Sequence, residues 1–397
     1  MREVPVDACS LVSAIGHGLA DTLAALRSGT GGLRDDDIWA RIADGPVGVV
    51  EGLEDAPLEP RVRAFEGRNN RLARLGLLAD GFHERVEAAI RRYGRSRIAV
   101  VVGTTTAGIR EGELAFRGRS APGDALAQSF SYHHSVDHFS LAAFVRSYLG
   151  LEGLAYTVST ACSSSSKVFG DASLLLEAGI CDAVVVGGVD SLCEMSLRGF
   201  RSLALVSSEP CRPFDQRRAG ISLGEAAGFA LLSREPLDAS SSGIVLAGVG
   251  ASADAHHMSA PHPDGVGAEI AMREALRSAG LHREDIDYIH LHGTGSKQND
   301  DTEARAVARV FGGAVACSST KGWTGHCLGA AGIVGAAIAC LALRRQTRPG
   351  NLNGEQPDST LGITTSLKTS EVPLRNVLTN AFGFGGNNSS LVFGVRR

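Results

Sequence analysis

One cysteine and two histidines carry the chemistry this sequence offers. Cys162 lies in Val158-Ser-Thr-Ala-Cys162-Ser-Ser-Ser-Ser-Lys167. The apolar run Leu154–Val158 before it reads as a buried strand. Val168, Phe169, Ala172, Leu175 and Leu176 after it recur at helical spacing, closed by Gly179. A thiol in such a turn faces unpaired N–H groups and the positive end of the helix dipole, which predicts a stabilised thiolate. Taken alone, a cysteine in apolar surroundings is more often a structural core residue. His292, in His292-Gly-Thr-Gly-Ser296, and His326, closing Lys321-Gly-Trp-Thr-Gly-His326, reverse that reading. Each follows a short apolar run and sits among glycines, where backbone can approach a ligand closely. A single Cys and a single His would suit a hydrolase-type pair. Two histidines suit a reaction in which negative charge develops at two places. Claisen condensation of thioesters is one: an acyl group rides on sulfur while a second thioester loses CO₂ and its enolate oxygen is held. Neutral imidazole N–H groups can hold that oxygen, and backbone N–H groups the tetrahedral oxyanion.

The elements that must position these residues alternate between strand and helix. Ile98–Val102, Ala183–Val186 and Gly228–Leu232 are unbroken apolar runs, the mark of strands buried on both faces. After Ser240–Ser242, the seam its composition suggests, Ile244–Val249 and Ile286–Leu291 read as strands, the latter delivering His292. Gly267–Ala279 and Thr302–Phe311 read as helices, Val315–Ser318 as a short strand and Leu328–Leu343 as a buried helix. The last strands lie near Leu378 and at Leu391–Val395, around Gly383-Phe-Gly-Gly386. This alternation predicts an α/β fold with sheets covered on both faces, in halves 1–240 and 241–397. Similarity between the halves is weak at the level of residues.

The chain has 397 residues, 44% of them hydrophobic and 21% charged, which are soluble globular values. A net charge of −4 implies neither nucleic acid nor an anionic membrane as partner. The start, Met1-Arg-Glu-Val-Pro-Val, has no secretion-signal pattern, and Leu328–Leu343 reads as too short to span a bilayer. Eight cysteines without a C-x-x-C pair suggest reduced thiols and a cytoplasmic protein. His133, His134 and His138 lie close together but lack a further ligand at metal spacing, so they read as structural or interfacial. The basic region Arg61–Arg97 reads as a solvated helix face. Its functional reading is a docking surface for an acidic partner, with Arg68 and Arg71 in it.

Thr160-Ala-Cys162-Ser-Ser-Ser, His292-Gly-Thr-Gly-Ser296 with Asp300 and Glu303, Lys321 through His326-Cys-Leu-Gly-Ala-Ala-Gly332, and Asn380-Ala-Phe-Gly-Phe384-Gly-Gly386 together resemble the β-ketoacyl-acyl-carrier-protein synthases. Arg212-Pro-Phe-Asp215 and Gly224-Glu225 match as well, and order and spacing agree from about residue 8 to the C-terminus. The resemblance implies the thiolase fold: duplicated βαβαβαβ halves in a five-layered α-β-α-β-α sandwich. It implies decarboxylative condensation, with Cys162 as acyl acceptor and His292 and His326 supporting decarboxylation. Lys321 would stand beside that pair with Glu303 as its partner. The Cys162 and Phe384 N–H groups would form the oxyanion hole, and Phe384 would gate the site. Thr294 and Ser296 would hold the pantetheine arm. Phe200 and Phe382 would wall the acyl pocket, with Thr106 near its floor. No cofactor is implied, since substrates ride on the phosphopantetheine of acyl carrier protein. The implied assembly is a homodimer, or a heterodimer with a paralogous ketosynthase-like subunit.

Several positions depart from the family's usual pattern. Ser296 and Asn387 replace Thr, Gly224-Glu-Ala-Ala227 replaces Gly-Glu-Gly-Ala, and the link from Ser207 to Pro213 is short. These lean toward a stand-alone ketosynthase of a specialised pathway, such as one making aryl polyenes. Two alternatives stand beside this reading. A chain-length-determining partner subunit would typically lack the cysteine, and a CoA-dependent thiolase would carry a second one where this chain reads Phe382-Gly-Phe-Gly-Gly386.

Overall fold

The computed structural model describes residues 1–55, 57–121, 123–238 and 243–396. Ser240–Ser242, the expected seam, lies outside the described residues. Among the described residues, ten core strands fall into two runs of five. The first is β1 (Val4–Ser13), β2 (Ile98–Gly103), β3 (Ala155–Val158), β4 (Ala183–Asp190) and β5 (Ala226–Ser233). The second is β6 (Ile244–Ala253), β7 (Tyr288–His290), β8 (Ala316–Ser318), β9 (Asn376–Gly383) and β10 (Asn387–Val395). Side by side, the first run is ordered β3-β2-β4-β5-β1 and the second β8-β7-β9-β10-β6. Position for position the orders are identical. Directions agree too: β2 is parallel to β3 and β4, as β7 is to β8 and β9, and the remaining pairs are antiparallel in both. The duplication that residue similarity hides is plain in the backbone. Among the described residues the sheets meet edge to edge only where Val4 and Pro5 pair with Leu246 and Val245.

Side chains alternate faces along a strand, so an unbroken apolar strand needs cover on both sides. Val101, Val184 and Val186 face inward, onto α4 (Ser164–Glu177) and α8 (Ala331–Arg345), which also cover Val377, Leu391 and Phe393 of the second sheet. Val100, Val102 and Val185 face outward, under α1 (Arg68–Leu78), α2 (Phe82–Tyr93) and α3 (Phe139–Tyr148). On the other side, Ile289, Leu378 and Val392 pack against α6 (Val266–Ala279) and α7 (Lys297–Phe311). The result is helix, sheet, helix pair, sheet, helix: the five-layered thiolase fold.

The central helix pair corrects one expectation. Leu328–Arg345 does meet the length and hydropathy of a membrane span, at 18 residues, but 89% of it is buried between the sheets. Helix α7 begins at Lys297, five residues earlier than expected, because the Ser296 hydroxyl caps it by accepting from Asn299 N–H.

The basic region is an open positive face only in part: Arg61, Arg63, Arg91, Arg92 and Arg95 are exposed, but the arginines nearest the fold's interior are engaged. Arg68 is 6% exposed and forms a two-pronged pair with fully buried Glu225, Nη2 to Oε1 at 2.5 Å and Nε to Oε2 at 3.0 Å. Arg71 pairs with Glu66 at 2.5 Å and donates to the Leu53 and Glu54 carbonyls. Arg74 pairs with Glu59, and Arg97 with Asp182. Docking through Arg68 is thereby overturned, since its guanidinium is spent inside the fold. His134 packs edge-on against Phe65, and His133 turns to Asp137.

Candidate active site

Cys162 sits in the turn between β3 and α4, preceded by Ala161 at φ +52°. That left-handed residue swings the thiol out of the strand line toward the second half of the chain. Its Sγ lies 3.1 Å from His326 Nε2. Strand β7 delivers His292 just past its end, and the two imidazoles meet edge to face at 5.2 Å and 84°. One ligand atom from each of Cys162, His292 and His326 falls within 4.8 Å of the others. Three residues far apart in the chain thus converge on one point.

Hydrogen bonds to the outer ring nitrogens set the tautomers. The Leu328 N–H donates to His326 Nδ1 at 3.3 Å. Lys321 Nζ lies 3.3 Å from His292 Nδ1, and the same ammonium donates to the His292 carbonyl oxygen. An Nδ1 that accepts leaves the proton on Nε2, so both imidazoles turn Nε2–H donors toward the sulfur. Both are held neutral: burial first, and the Lys321 charge second, push their pKa values well below the ordinary histidine range. The same arrangement argues against a metal on this trio. A cation would need lone pairs at Nε2, where the protons are, and would face the Lys321 ammonium.

The thiol contradicts the expectation of a stabilised thiolate. Burial pushes Cys162 up to about 11; the Lys321 charge and the Phe384 and Cys162 backbone N–H groups pull against it without prevailing. The last two donors aim at the sulfur, where an oxyanion hole needs them.

Glu303 is fully buried and accepts from the N–H groups of His292 at 2.8 Å and Gly293 at 2.7 Å, and from Asn380 Nδ2 at 3.1 Å. Among the described residues it forms no ion pair with Lys321, whose ammonium turns to His292 instead. Its work is to hold the His292 turn, and its field reaches Lys321 from a distance. Desolvation raises its carboxyl to about 7. Fully buried Asp300 holds the next stretch, accepting from Thr294 N–H at 3.0 Å and Phe214 N–H at 2.9 Å.

One cavity gathers most of the expected site. Cys162, His292 and His326 lie at its base, with Phe200, Phe382 and Phe384 as its walls. Thr294 and Ser296, their hydroxyls 2.9 Å apart, line it as well. It encloses about 70 Å³, room for a few waters and not for an acyl chain. Phe200, on α5 (Glu194–Ser202), stacks on Phe384 at 5.6 Å and 29°. Their separation would open further space. Phe384 rides on a turn whose Gly385 and Gly386 have φ of +77° and +72°, conformations glycine adopts without strain.

Thr106 is not part of this cavity. Its hydroxyl and N–H both donate to Asp190 at 2.9 Å, and it is absent from the cavity lining. Asp190, Asp254 and Asn388 went unread in the sequence. Asp254 and Asn388 line the cavity, linked at 2.7 Å, and the Gly385 N–H donates to Met258 O at 2.8 Å. Asp190 had a signal, a lone charge directly behind the apolar run of β4. Asp254 had none, being one polar residue in a polar loop.

Comparison with known proteins fits this geometry. The family description "Beta-ketoacyl synthase, N-terminal domain" matches residues 75–237, and "Beta-ketoacyl synthase, C-terminal domain" matches residues 244–355. The mitochondrial 3-oxoacyl-[acyl-carrier-protein] synthase of Arabidopsis thaliana is 40% identical over 62% of this chain and 57% of its own length, so the chain spans less than two thirds of that relative. Nodulation protein E of Rhizobium meliloti (strain 1021) is 35% identical over 75% of each chain. A chain of the complex between the ketosynthase ApeO and its chain length factor ApeC from Xenorhabdus doucetiae superposes with a TM-score of 0.87, at 36% identity over 99% of this chain and 98% of that one. With matching profiles over both halves and a relative aligned end to end, the chain belongs to the β-ketoacyl synthase family.

Proposed function

We propose that the chain is a β-ketoacyl-acyl-carrier-protein synthase, condensing a Cys162-bound acyl group with malonyl-carrier protein in fatty acid or polyketide elongation. The observation that carries this reading is the convergence of one thiol and two neutral Nε2–H imidazoles on one buried point. Acyl loading exchanges one thiol for another, so the proton leaving Cys162 ends on the departing pantetheine thiol. Thr294 and Ser296 stand where the arm would enter, and no cofactor resident in the chain is needed. His292 and His326 then hold the thioester oxygen as malonate loses CO₂ and the enolate forms. The enolate carbon attacks the acyl carbonyl, whose oxygen is received by the Cys162 and Phe384 N–H groups. Collapse releases the β-ketoacyl thioester and the Cys162 thiolate, which takes up a proton. Lys321 keeps both the His292 tautomer and the emerging thiolate favourable.

Halves 1–240 and 241–397 would each supply part of this site, the nucleophile from the first and the imidazoles from the second. Reduced, buried cysteines fit a cytoplasmic setting. The partner would be acyl carrier protein, and the assembly a homodimer or a pairing with a paralogous subunit. The match to a chain of a ketosynthase–chain length factor complex favours the second assembly. A chain-length-determining role without catalysis is opposed by the intact Cys162, His292 and His326.

The test is intact-mass spectrometry of the chain after incubation with acyl-loaded carrier protein. Wild type should gain one acyl mass and Cys162→Ala none; acyl transfer that persists in the variant would remove Cys162 from the mechanism.

A further inference from the structure

Asp190, at the end of β4, has no exposure. Its carboxylate accepts from the Thr104, Thr105 and Thr106 hydroxyls at 2.6, 2.5 and 2.9 Å and from the Thr105 and Thr106 N–H groups at 2.8 and 2.9 Å. A sixth donor comes from the other half of the chain: the Gly329 N–H, at 2.6 Å. The Gly329 peptide is gripped from its other side as well. Its carbonyl accepts from Ser165 Oγ at 2.5 Å, and Ser165 lies three residues past Cys162. Ile333 N–H donates to the same hydroxyl at 2.9 Å. The approach admits no side chain, since a Cβ on Gly329 would stand 2.8 Å from Asp190 Oδ2. Next to Gly329 is Leu328, a non-glycine residue at φ +49° whose N–H fixes the His326 tautomer. A branched residue held in that region needs its neighbours to over-determine it.

We propose that Asp190 is a positioning residue of the condensation site: by anchoring the Gly329 peptide it holds the Leu328 N–H on His326 Nδ1, and so keeps His326 Nε2–H aimed at the Cys162 sulfur. The inference rests on the ketosynthase reading for the identity of the reaction, whereas the clamp itself is independent of it. The carboxylate has a second effect on the same sulfur. Of the charges facing Cys162, Lys321 favours the thiolate and Asp190 opposes it, while His292 and His326 are neutral.

The experiment compares Asp190→Asn and Gly329→Ala with wild type in the full-length protein. Asp190→Asn should lower kcat of condensation by about 10²-fold with little change in KM for malonyl-carrier, the loss expected when a catalytic group shifts by about 1 Å. It should also move the pH midpoint of Cys162 alkylation by iodoacetamide downward, read by intact mass and peptide mapping. Gly329→Ala displaces the carboxylate but keeps its charge, so kcat should fall while that midpoint follows wild type far more closely. A residue that served folding alone would lower thermal stability and leave the His326 tautomer and the kcat of the folded protein in place. Unchanged kcat in Gly329→Ala, or a His326 tautomer unchanged in both variants, overturns the proposal. Should wild type fail to condense at all, the ketosynthase reading falls. The His326 tautomer, seen by ¹⁵N-histidine NMR in wild type and both variants, then still decides the clamp.

Discussion

Replacing Arg68 with methionine separates two accounts of the basic region. If Arg68 served a docking face, Arg68→Met would weaken carrier binding in a salt-sensitive way and leave stability near wild type. The structure demands the reverse. Arg68 is 6% exposed and meets Glu225, itself without exposure, through two short hydrogen bonds. Removing one partner of such a pair strands a buried charge, at a cost of about 3–5 kcal/mol. Glu225 would retain the Val50 and Leu192 N–H donors, at 2.9 and 3.0 Å, which places the expected loss near the lower end of that range. The outer contact to Glu54, 72% exposed, adds little. Urea unfolding followed by tryptophan fluorescence suits the measurement, because Trp39 lies under the Arg68 guanidinium at 5.4 Å. The transition midpoint should fall with its slope unchanged. Arg68→Met combined with Glu225→Gln should recover much of the loss, since no charge is then left unpaired. Activity should soften as well: Gly224 N–H donates to the His326 carbonyl at 3.0 Å, so the segment next to Glu225 backs the catalytic turn. A methionine variant as stable as wild type, but with weaker and salt-dependent carrier affinity, would refute this reasoning and restore the docking face.

Three further outcomes are expected. His292→Ala should cut CO₂ release from malonyl-carrier by about 10²–10³-fold, the effect of losing one preorganised donor, and spare acyl transfer; unchanged release would deny His292 that role. Cys162→Gln should release CO₂ without forming a β-ketoacyl product, and any condensation product from it would refute the assignment of the sulfur. Stability should fall on acidification from pH 7 to pH 5.5. Buried His290, pushed to about 3, and His292 and His326, pushed well below their usual range, stay neutral in the fold while the unfolded chain protonates below about pH 6.5. Glu303, raised to about 7, runs the other way, because only the fold binds its proton between about pH 7 and 4.5. The three imidazoles outweigh Glu303 by about 2 kcal/mol, and the carboxyls of Asp80, Glu111 and Asp300, also raised by burial, trim that loss. A urea midpoint that holds or rises at pH 5.5 would contradict the sign.

The sequence announces what is local. Ile98–Val102 and Ala183–Val186 are strands because their residues are uniformly apolar and branched, and both faces are indeed covered. Cys162, His292 and His326 stand out because their neighbours are glycines and small hydroxyl residues at strand ends. What failed depends on depth and on distant partners. The helix end beside Cys162 was visible, but the burial that outweighs it was not. Thr106 looked like a pocket residue until its acceptor, Asp190, 84 positions away, was placed beside it. Arg68 looked like surface charge, for nothing near it in sequence reveals Glu225, 157 positions on. The duplication of the halves was legible only through the family resemblance, since the two sheets share a path and not a residue pattern.

The residues behind the site share one feature. Asp190, Glu225, Asp300 and Glu303 are four carboxylates with no exposure, a costly state for a charge. Each accepts backbone N–H groups from a turn that carries or backs the chemistry: Asp190 from Thr105, Thr106 and Gly329, Glu225 from Val50 and Leu192, Asp300 from Phe214 and Thr294, Glu303 from His292 and Gly293. Those N–H groups lie outside helix and sheet ladders, so without an acceptor each would be a buried orphan. The two burdens offset each other in part, desolvation still prevailing at Asp300 and Glu303, and the turns are fixed at both ends of each hydrogen bond. A condensing site needs that rigidity, because its donors must already point at the oxygen that becomes negative. Charge in this chain is spent on holding backbone, which is why the sequence shows the sulfur and the imidazoles directly, points to Glu225, Asp300 and Glu303 only through the family pattern and without the backbone they hold, and leaves Asp190 unmarked.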